Sequence, residues 1–342
     1  MNSYWLDRFE RLKQEQMGRI DQYTATDMRD IYAYALQQIT KEVNDWYSKY
    51  SEDNIVSLAD SRKLLDAREL KAFKMTLKEY IKECQKLGLS DKHRKMLENA
   101  STMARLSRSQ QLLLSLTQEV QKLGKLQETD LTDILSKTYE ESTYKTAYLT
   151  QDMLGQYAQF ARVPTKTIQI VLTTPWTDDG KDFSDRIWAD KDKLTFTLQT
   201  EMTRSLLIQE GSGKLAERLS KRMNVSLNNA LRLAETETAY VQEKAMYDVY
   251  TDLGVEQYQI LAVLDKRTSS ICRHLDGKVF DKPDYKIGVT APPFHARCRS
   301  TTVPYIKGVT DAGTRVYRDA NGKTQQTRGD ITYEDWEKEY LK

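Results

Sequence analysis

Residues 28–47 read MRDIYAYALQQITKEVNDWY, and their apolar positions are Met28, Ile31, Tyr32, Ala35, Leu36, Ile39, Val43, Trp46 and Tyr47. Steps of three and four place these side chains on one stripe of an α-helix, with Lys, Glu and Asp on the opposite face. The same texture extends outward. A second helix is expected from Leu64 to Leu87. A third is expected from Lys95 to Leu123 around Leu112-Leu113-Leu114, with Gly124 as its C-terminal stop. Thr129 then reads as an N-cap, because Leu131, Leu135 and Tyr139 return at four-residue spacing. No sustained heptad accompanies these stripes, so the helices are expected to pack antiparallel in an elongated bundle rather than a coiled coil.

The pattern changes near Pro164. Ile168, Ile170 and Leu172 alternate within Thr167–Thr173, which predicts a strand. Helices follow from about Ser184 to Gln209, from Lys214 to Met223, and from Ser226 to Leu253, the last ending at Gly254. Tyr258 to Leu264 then reads as a strand, with Arg299 to Tyr305 as its companion. The Gly- and Thr-rich stretch from Lys307 to Arg328 reads as a loose linker. A short helix closes the chain, where Thr332 and Asp335 resemble a capping box. The expected fold is therefore mostly α with a small α+β C-terminal domain. Residues 1–163 form the elongated helical region, 164–306 the mixed domain, and 307–342 a flexible tail with a terminal helix.

Composition narrows the function. At 342 residues, with 39% hydrophobic and 30% charged residues, the chain suits surface-rich helices and is too apolar and periodic for disorder. Lys plus Arg number 52 against 50 Asp plus Glu, so net charge gives no drive toward nucleic acid, and only a local basic face can supply one. No run is long enough to span a membrane. The opening Met1-Asn2-Ser3-Tyr4-Trp5-Leu6-Asp7-Arg8 meets charge at once, unlike a signal peptide, which predicts a cytosolic product.

Several motifs invite chemistry. Gly211-Ser212-Gly213-Lys214 looks like part of a phosphate loop, but Ile208 and Leu215 stand where that loop needs a glycine and a Ser or Thr. A helix-breaking turn is the better reading. Cys272-x-His274 and His295-x-x-Cys298 bring two of three cysteines and two of three histidines into one window. The spacing leaves three readings open: a structural zinc site on Cys272, His274, His295 and Cys298, a pair of buried thiols, or a Cys272–Cys298 disulfide. A zinc deaminase is excluded, because that motif needs His-x-Glu and Pro-Cys-x-x-Cys. Cys84 reads as an ordinary partly buried thiol. Glu235 and Glu237 lie about 200° apart on a helix, so they cannot act as a dyad; one is expected to face a partner within the domain and the other solvent. Asp265 to Ser270 reads as a turn held by side-chain-to-backbone bonds. No catalytic residues and no cofactor other than the structural zinc are expected.

Taken together, Leu264-Asp265-Lys266-Arg267-Thr268-Ser269-Ser270-Ile271-Cys272-Arg273-His274-Leu275-Asp276-Gly277-Lys278-Val279-Phe280 resembles the signature of the phage head-morphogenesis family, the Mu F-like minor head proteins. Ala291-Pro292-Pro293-Phe294-His295-Ala296-Arg297-Cys298-Arg299-Ser300 continues the resemblance. The helix Ala230-Leu231-Arg232-Leu233-Ala234-Glu235-Thr236-Glu237 precedes it, and Gly254-Val255 leads into the strand. Many members carry further cysteines where this chain has Leu275 and Ser300, and His274 is the residue left to complete four ligands. The resemblance implies a non-enzymatic minor capsid protein of a tailed phage or prophage, made in the bacterial cytoplasm and placed in the virion, in the head interior or at the portal vertex. It implies roles in head assembly and DNA packaging or delivery. The implied partners are the portal protein, then the major capsid or scaffolding proteins and packaged DNA, with no membrane. Two rival readings are a zinc-dependent enzyme or toxin built on the Cys/His cluster and a nucleic-acid-binding protein of a mobile element.

Overall fold

Among the described residues, ten of eleven α-helices come before or between the strands. The computed structural model describes residues 4–51, 53–157, 159, 161–310, 314–319 and 323–340; Met1–Ser3 of the opening segment and parts of the tail lie outside them. The helices are α1 (Tyr4–Ala25), α2 (Asp27–Tyr50), α3 (Leu58–Ser61), α4 (Ala67–Leu87), α5 (Asp91–Thr102), α6 (Arg108–Leu154), α7 (Thr165–Thr173), α8 (Phe183–Leu207) and α9 (Ser212–Asp252). Strand β1 (Gln257–Leu261), helix α10 (Ser270–Leu275), and strands β2 (Val279–Asp281) and β3 (Thr301–Pro304) follow. Strands β4 (Thr314–Arg318) and β5 (Thr324–Arg328) and helix α11 (Tyr333–Tyr340) complete the chain. The fold is mostly helical, with small antiparallel sheets near the C-terminus. Among the described residues, no helix is long and apolar enough to cross a membrane. The chain divides into two compact units that alternate along the sequence. One comprises Met1–Tyr23, Leu131–Phe183 and Arg232–Lys342; the other comprises Thr24–Asp130 and Ser184–Leu231.

In the second, all-helical unit, α2 buries the opening stripe: Met28, Tyr32, Ala35, Ile39, Val43, Trp46 and Tyr47 face inward. Helix α4 starts on a capping box formed by Asp66 and Glu69 and ends at Gly88, whose φ of 64° is the left-handed conformation glycine tolerates best. Phe73, Leu77, Tyr80 and Cys84 of α4 pack with Leu97 and Ala100 of α5, and Cys84 is a buried free thiol. The helix expected over 95–123 is instead two. The chain leaves helix between Thr102 and Arg108 because its backbone pairs there with residues before α4: Leu65 N donates to Leu106 O at 2.8 Å and Arg108 N to Lys63 O at 3.0 Å.

Two further helix ends expected from sequence are absent. Helix α6 runs through Gly124 and Thr129, and α9 runs unbroken from Ser212. Gly124 is there for packing: a Cβ built on it would lie 2.9 Å from Lys191 Cγ and 2.9 Å from the Trp188 ring. Gly18, in α1, would meet nothing within 4 Å. Alanine is favoured over glycine inside a helix by about 1 kcal/mol, while overpacking costs about 1–3 kcal/mol. Gly18→Ala is therefore expected to stabilise the protein by up to about 1 kcal/mol and Gly124→Ala to destabilise it by up to about 2 kcal/mol, as measured by urea unfolding. Equal and favourable effects at both positions would contradict the packing account.

The first unit holds the sheet. Strand β1 is central in the antiparallel order β2-β1-β3, with Tyr258 opposite Phe280 and Ile260 opposite Thr302. Its core joins Leu6, Phe9 and Leu12 of α1 to Met246 and Tyr250 of α9 and to Tyr258, Ile260 and Val303 of the sheet. Thr167–Thr173, expected as a strand, lies within α7, where Val171 and Leu172 are buried and Ile170 is exposed. The sequence Ile168, Val171, Leu172 fits helical spacing as well as the alternation fits a strand. A helix satisfies its own backbone, whereas a strand here needs a partner. The tail differs from the loose linker expected. Strands β4 and β5 pair in register from Thr314–Arg328 to Arg318–Thr324, and α11 buries Tyr333 and Trp336 against Leu264 and Ile331. Thr332 caps α11 by accepting from Asp335 N at 3.2 Å.

Candidate functional site

The end of β1 feeds the turn at Asp265. Its carboxylate accepts Arg267 N at 2.9 Å and the Thr268 hydroxyl at 3.2 Å, and the Arg299 guanidinium grips both oxygens at 2.6 and 2.7 Å. Burial alone would raise the Asp265 carboxyl, but the Arg299 pair and the Arg267 amide hold it below its ordinary value. This clamp joins the turn to the residue that follows Cys298. Ser269 then caps α10, its hydroxyl accepting from Cys272 N at 3.3 Å, and the first turn of that helix carries Cys272 into the interior.

The loop after β2 returns to the same place. Arg297 adopts a φ of 61°, and its backbone N donates to the Thr236 hydroxyl of α9 at 3.1 Å while its side chain pairs with Glu235 at 2.9 Å. Glu237, expected with Glu235 as one engaged and one solvated carboxylate, is also engaged. It is buried and accepts from Trp176 Nε1 at 2.9 Å. The backbone of this segment thereby sets His295 and Cys298 beside Cys272.

Cys272, His295 and Cys298 offer three donor atoms that all lie within 4.8 Å of one another. Cys272 Sγ is 3.7 Å from Cys298 Sγ and 3.2 Å from His295 Nε2. Both thiols are free, and 3.7 Å is far beyond the ~2.05 Å of a disulfide. It does match the edge of a tetrahedron: zinc–sulfur bonds of about 2.3 Å hold two sulfurs roughly 3.8 Å apart. His295 Nδ1 lies 2.8 Å from Ala296 O. Donation to that carbonyl fixes the tautomer and leaves Nε2 with a lone pair facing the sulfurs and the Ser269 hydroxyl, 2.8 Å away. The contact between the two sulfurs holds the Cys298 thiol below its ordinary value and raises Cys272 in turn. The arrangement is a soft S,S,N donor set.

His274, expected as the fourth ligand, is not part of this cluster. It lies two residues beyond Cys272 on α10, about 200° around the helix, and is exposed, with Nε2 2.9 Å from Lys278 Nζ. Gly211–Lys214 shapes no phosphate loop: Gly211 sits against Asn54, where a Cβ would lie 3.2 Å from its carbonyl oxygen, and α9 begins at Ser212.

Two buried ionisable pairs that support the site's unit left no local signal in the sequence. Arg315 pairs with Asp276, and Lys13 of α1 faces Glu243 of α9 at 3.8 Å, with Glu243 also accepting from Thr302 N and its hydroxyl at 3.3 and 3.0 Å. Their partners come from distant segments, so no local spacing could have shown them.

Comparison with known proteins adds three findings. Residues 196–303 match the family model described as Phage Mu protein F like protein. A relative, the NAD(+)–arginine ADP-ribosyltransferase EFV of Enterococcus faecalis, is 26% identical over 146 residues, which are 38% of this chain and 30% of that protein. The chain thus spans less than a third of the relative's length. No solved structure matches.

Proposed function

We propose, from the phage Mu protein F-like domain that the chain carries at residues 196–303, that this protein is a minor component of the head of a tailed phage or prophage. On this reading it acts in head assembly and DNA packaging or delivery by binding other head proteins, with the portal as its first partner. The single observation behind the reading is that domain. Its residues carry the Cys272, His295 and Cys298 cluster at their C-terminal end, where the cluster closes the loop onto α10. The test is quantitative mass spectrometry of purified particles, counting this chain against the major capsid protein. A few to a few tens of copies per particle are expected. Complete absence from particles would remove the reading.

Within that role, the cluster serves as a structural zinc site with Cys272, Cys298 and His295 as its protein ligands. Three protein ligands on S,S,N suit zinc, with a fourth position left for Ser269, water or a partner's side chain. The purified protein is expected to retain about one zinc ion per chain. Cys298→Ser should lose the metal and His274→Ala should keep it, as read by elemental analysis with thermal melts before and after chelation. Metal-free wild-type protein with an unchanged melt would leave the buried-thiol reading in its place.

The likeness to the ADP-ribosyltransferase supports a second reading, transfer of ADP-ribose to arginine. Incubation with labelled NAD+ and an arginine-rich acceptor tests it: transferred label would establish an enzyme, and none is expected.

A further inference from the structure

Helix α4 carries a second kind of signal. Arg68, Lys71, Lys74, Lys78, Lys82 and Lys86 recur at intervals of three and four residues. At 100° per residue they fall within about 120° of the helix circumference and extend over about 27 Å of its axis. Phe73, Leu77, Tyr80 and Cys84, the buried stripe, lie on the opposite side. Five of the six cations are exposed and Lys74 is half-buried. Among the described residues, none of the six has an ion-pair partner.

The carboxylates of α4 do not neutralise this face. Glu69 closes the capping box and faces Lys49 at 3.6 Å, and Glu83 faces Lys122 at 3.2 Å. Only Glu79 stands at the rim. Elsewhere the chain pairs its helical charges at four-residue spacing, as in Asp7–Arg11, Arg94–Glu98, Glu217–Lys221 and Lys244–Asp248. On α4 the same spacing sets lysine over lysine from Lys74 to Lys86. Each such like-charge pair costs a helix roughly 0.2–0.5 kcal/mol. A solvated face has no need of this repulsion, and a polyanion relieves it.

We infer that this lysine stripe is a binding surface for double-stranded DNA, contacted through its phosphates without regard to sequence. The reach fits: about 27 Å of duplex presents on the order of 16 phosphates over both strands. A membrane surface fits less well, because an interfacial helix needs its apolar face free, and here that face is in the core. Met75 is the one large apolar side chain exposed on α4. The stripe gives a chain of net charge +2 a local basic face. The inference deepens the head-protein reading by assigning DNA contact to one helix, yet it is tested on the purified full-length chain, independently of particle composition.

The experiment is fluorescence anisotropy with two unrelated 30-base-pair duplexes across a salt series. Equal affinity for both duplexes is expected, falling with salt at a slope that reports several phosphate contacts. The double variant Lys78→Gln and Lys82→Gln should weaken binding about tenfold or more and reduce the slope by about 2, while Lys78→Arg and Lys82→Arg retains both. Both changes are on an exposed face, so circular dichroism and the melting temperature should hold or rise. No binding at low salt, or the same slope in the glutamine variant, overturns the inference. So does binding of anionic phospholipid vesicles without binding of DNA. Loss of DNA binding in a chain still present in particles would sink this surface alone and leave the head-protein role standing.

Discussion

Arg315→Ala is expected to destabilise the protein by about 3–5 kcal/mol, the usual cost of removing one partner of a buried ion pair. Arg315 is 1% exposed. Its guanidinium meets both carboxylate oxygens of Asp276 at 2.8 and 2.9 Å and donates to Ile331 O at 2.8 Å and Ala262 O at 2.7 Å. Asp276 in turn accepts from Ala262 N at 2.8 Å. One side chain from β4 therefore holds together the end of β1, the turn before β2 and the segment leading into α11. Alanine leaves the Asp276 carboxylate and two carbonyls without that partner in the interior. Typical domains are stable by only about 5–15 kcal/mol, so urea unfolding should show a large shift and limited proteolysis should release the tail. Arg315→Lys retains charge but not the planar fork and should recover only part of the loss. A loss below about 1 kcal/mol for Arg315→Ala would mean that the pair is not the fastening it resembles.

Arg315 also shows why part of the molecule was legible and part was not. The stripe of α2, the pairing of β1 with β3 and the Thr332 cap depend on spacing within a few residues, and all three stand in the structure as they read in the sequence. Arg315 lies in a polar, Thr-rich stretch that reads as linker because its partner is 39 positions away. Gly124 reads as a stop for a similar reason: what requires a glycine there is Trp188 and Lys191 of another helix. The strand expected over Thr167–Thr173 failed differently, because its apolar residues satisfy two periods at once and the absence of a partner strand decides between them. At the candidate site, the window of cysteines and histidines was visible from composition alone. Which of them converge depended on helix phase. Six residues of α10 are enough to turn Cys272 inward and His274 outward.

The contribution of Glu10 to stability should also fall, by about 3 kcal/mol, as pH rises from about 4.5 to 8. Burial raises the Glu10 carboxyl to about 7, against the pull of Arg315, which lies 3.7 Å away, and of the Val316 amide. In the unfolded chain the same group titrates near its ordinary value of about 4.5. Between these two values the folded protein holds a proton that the unfolded chain has released. The contribution is therefore fully present below about 4.5 and is lost as pH climbs through about 7. At 1.36 kcal/mol per unit, the separation corresponds to about 3 kcal/mol. Carboxylates held below their ordinary values, such as Asp265 beside Arg299 and Glu201 beside Arg218 and Arg222, lose their contribution as pH falls below about 4.5, on the acid side of this window. Glu10→Gln isolates the effect, because the amide oxygen can still accept from Val316 N, which lies 3.2 Å from the native carboxylate. Urea unfolding of wild type and variant at half-unit steps should give curves that diverge by about 3 kcal/mol across the window, with the wild type relatively more stable on the acid side. Parallel curves would show that Glu10 ionises in the folded state as it does in the unfolded chain. Burial would then be balanced in full by Arg315, and the electrostatic centre of this unit would be a charged triad of Glu10, Arg315 and Asp276 at every pH above 5.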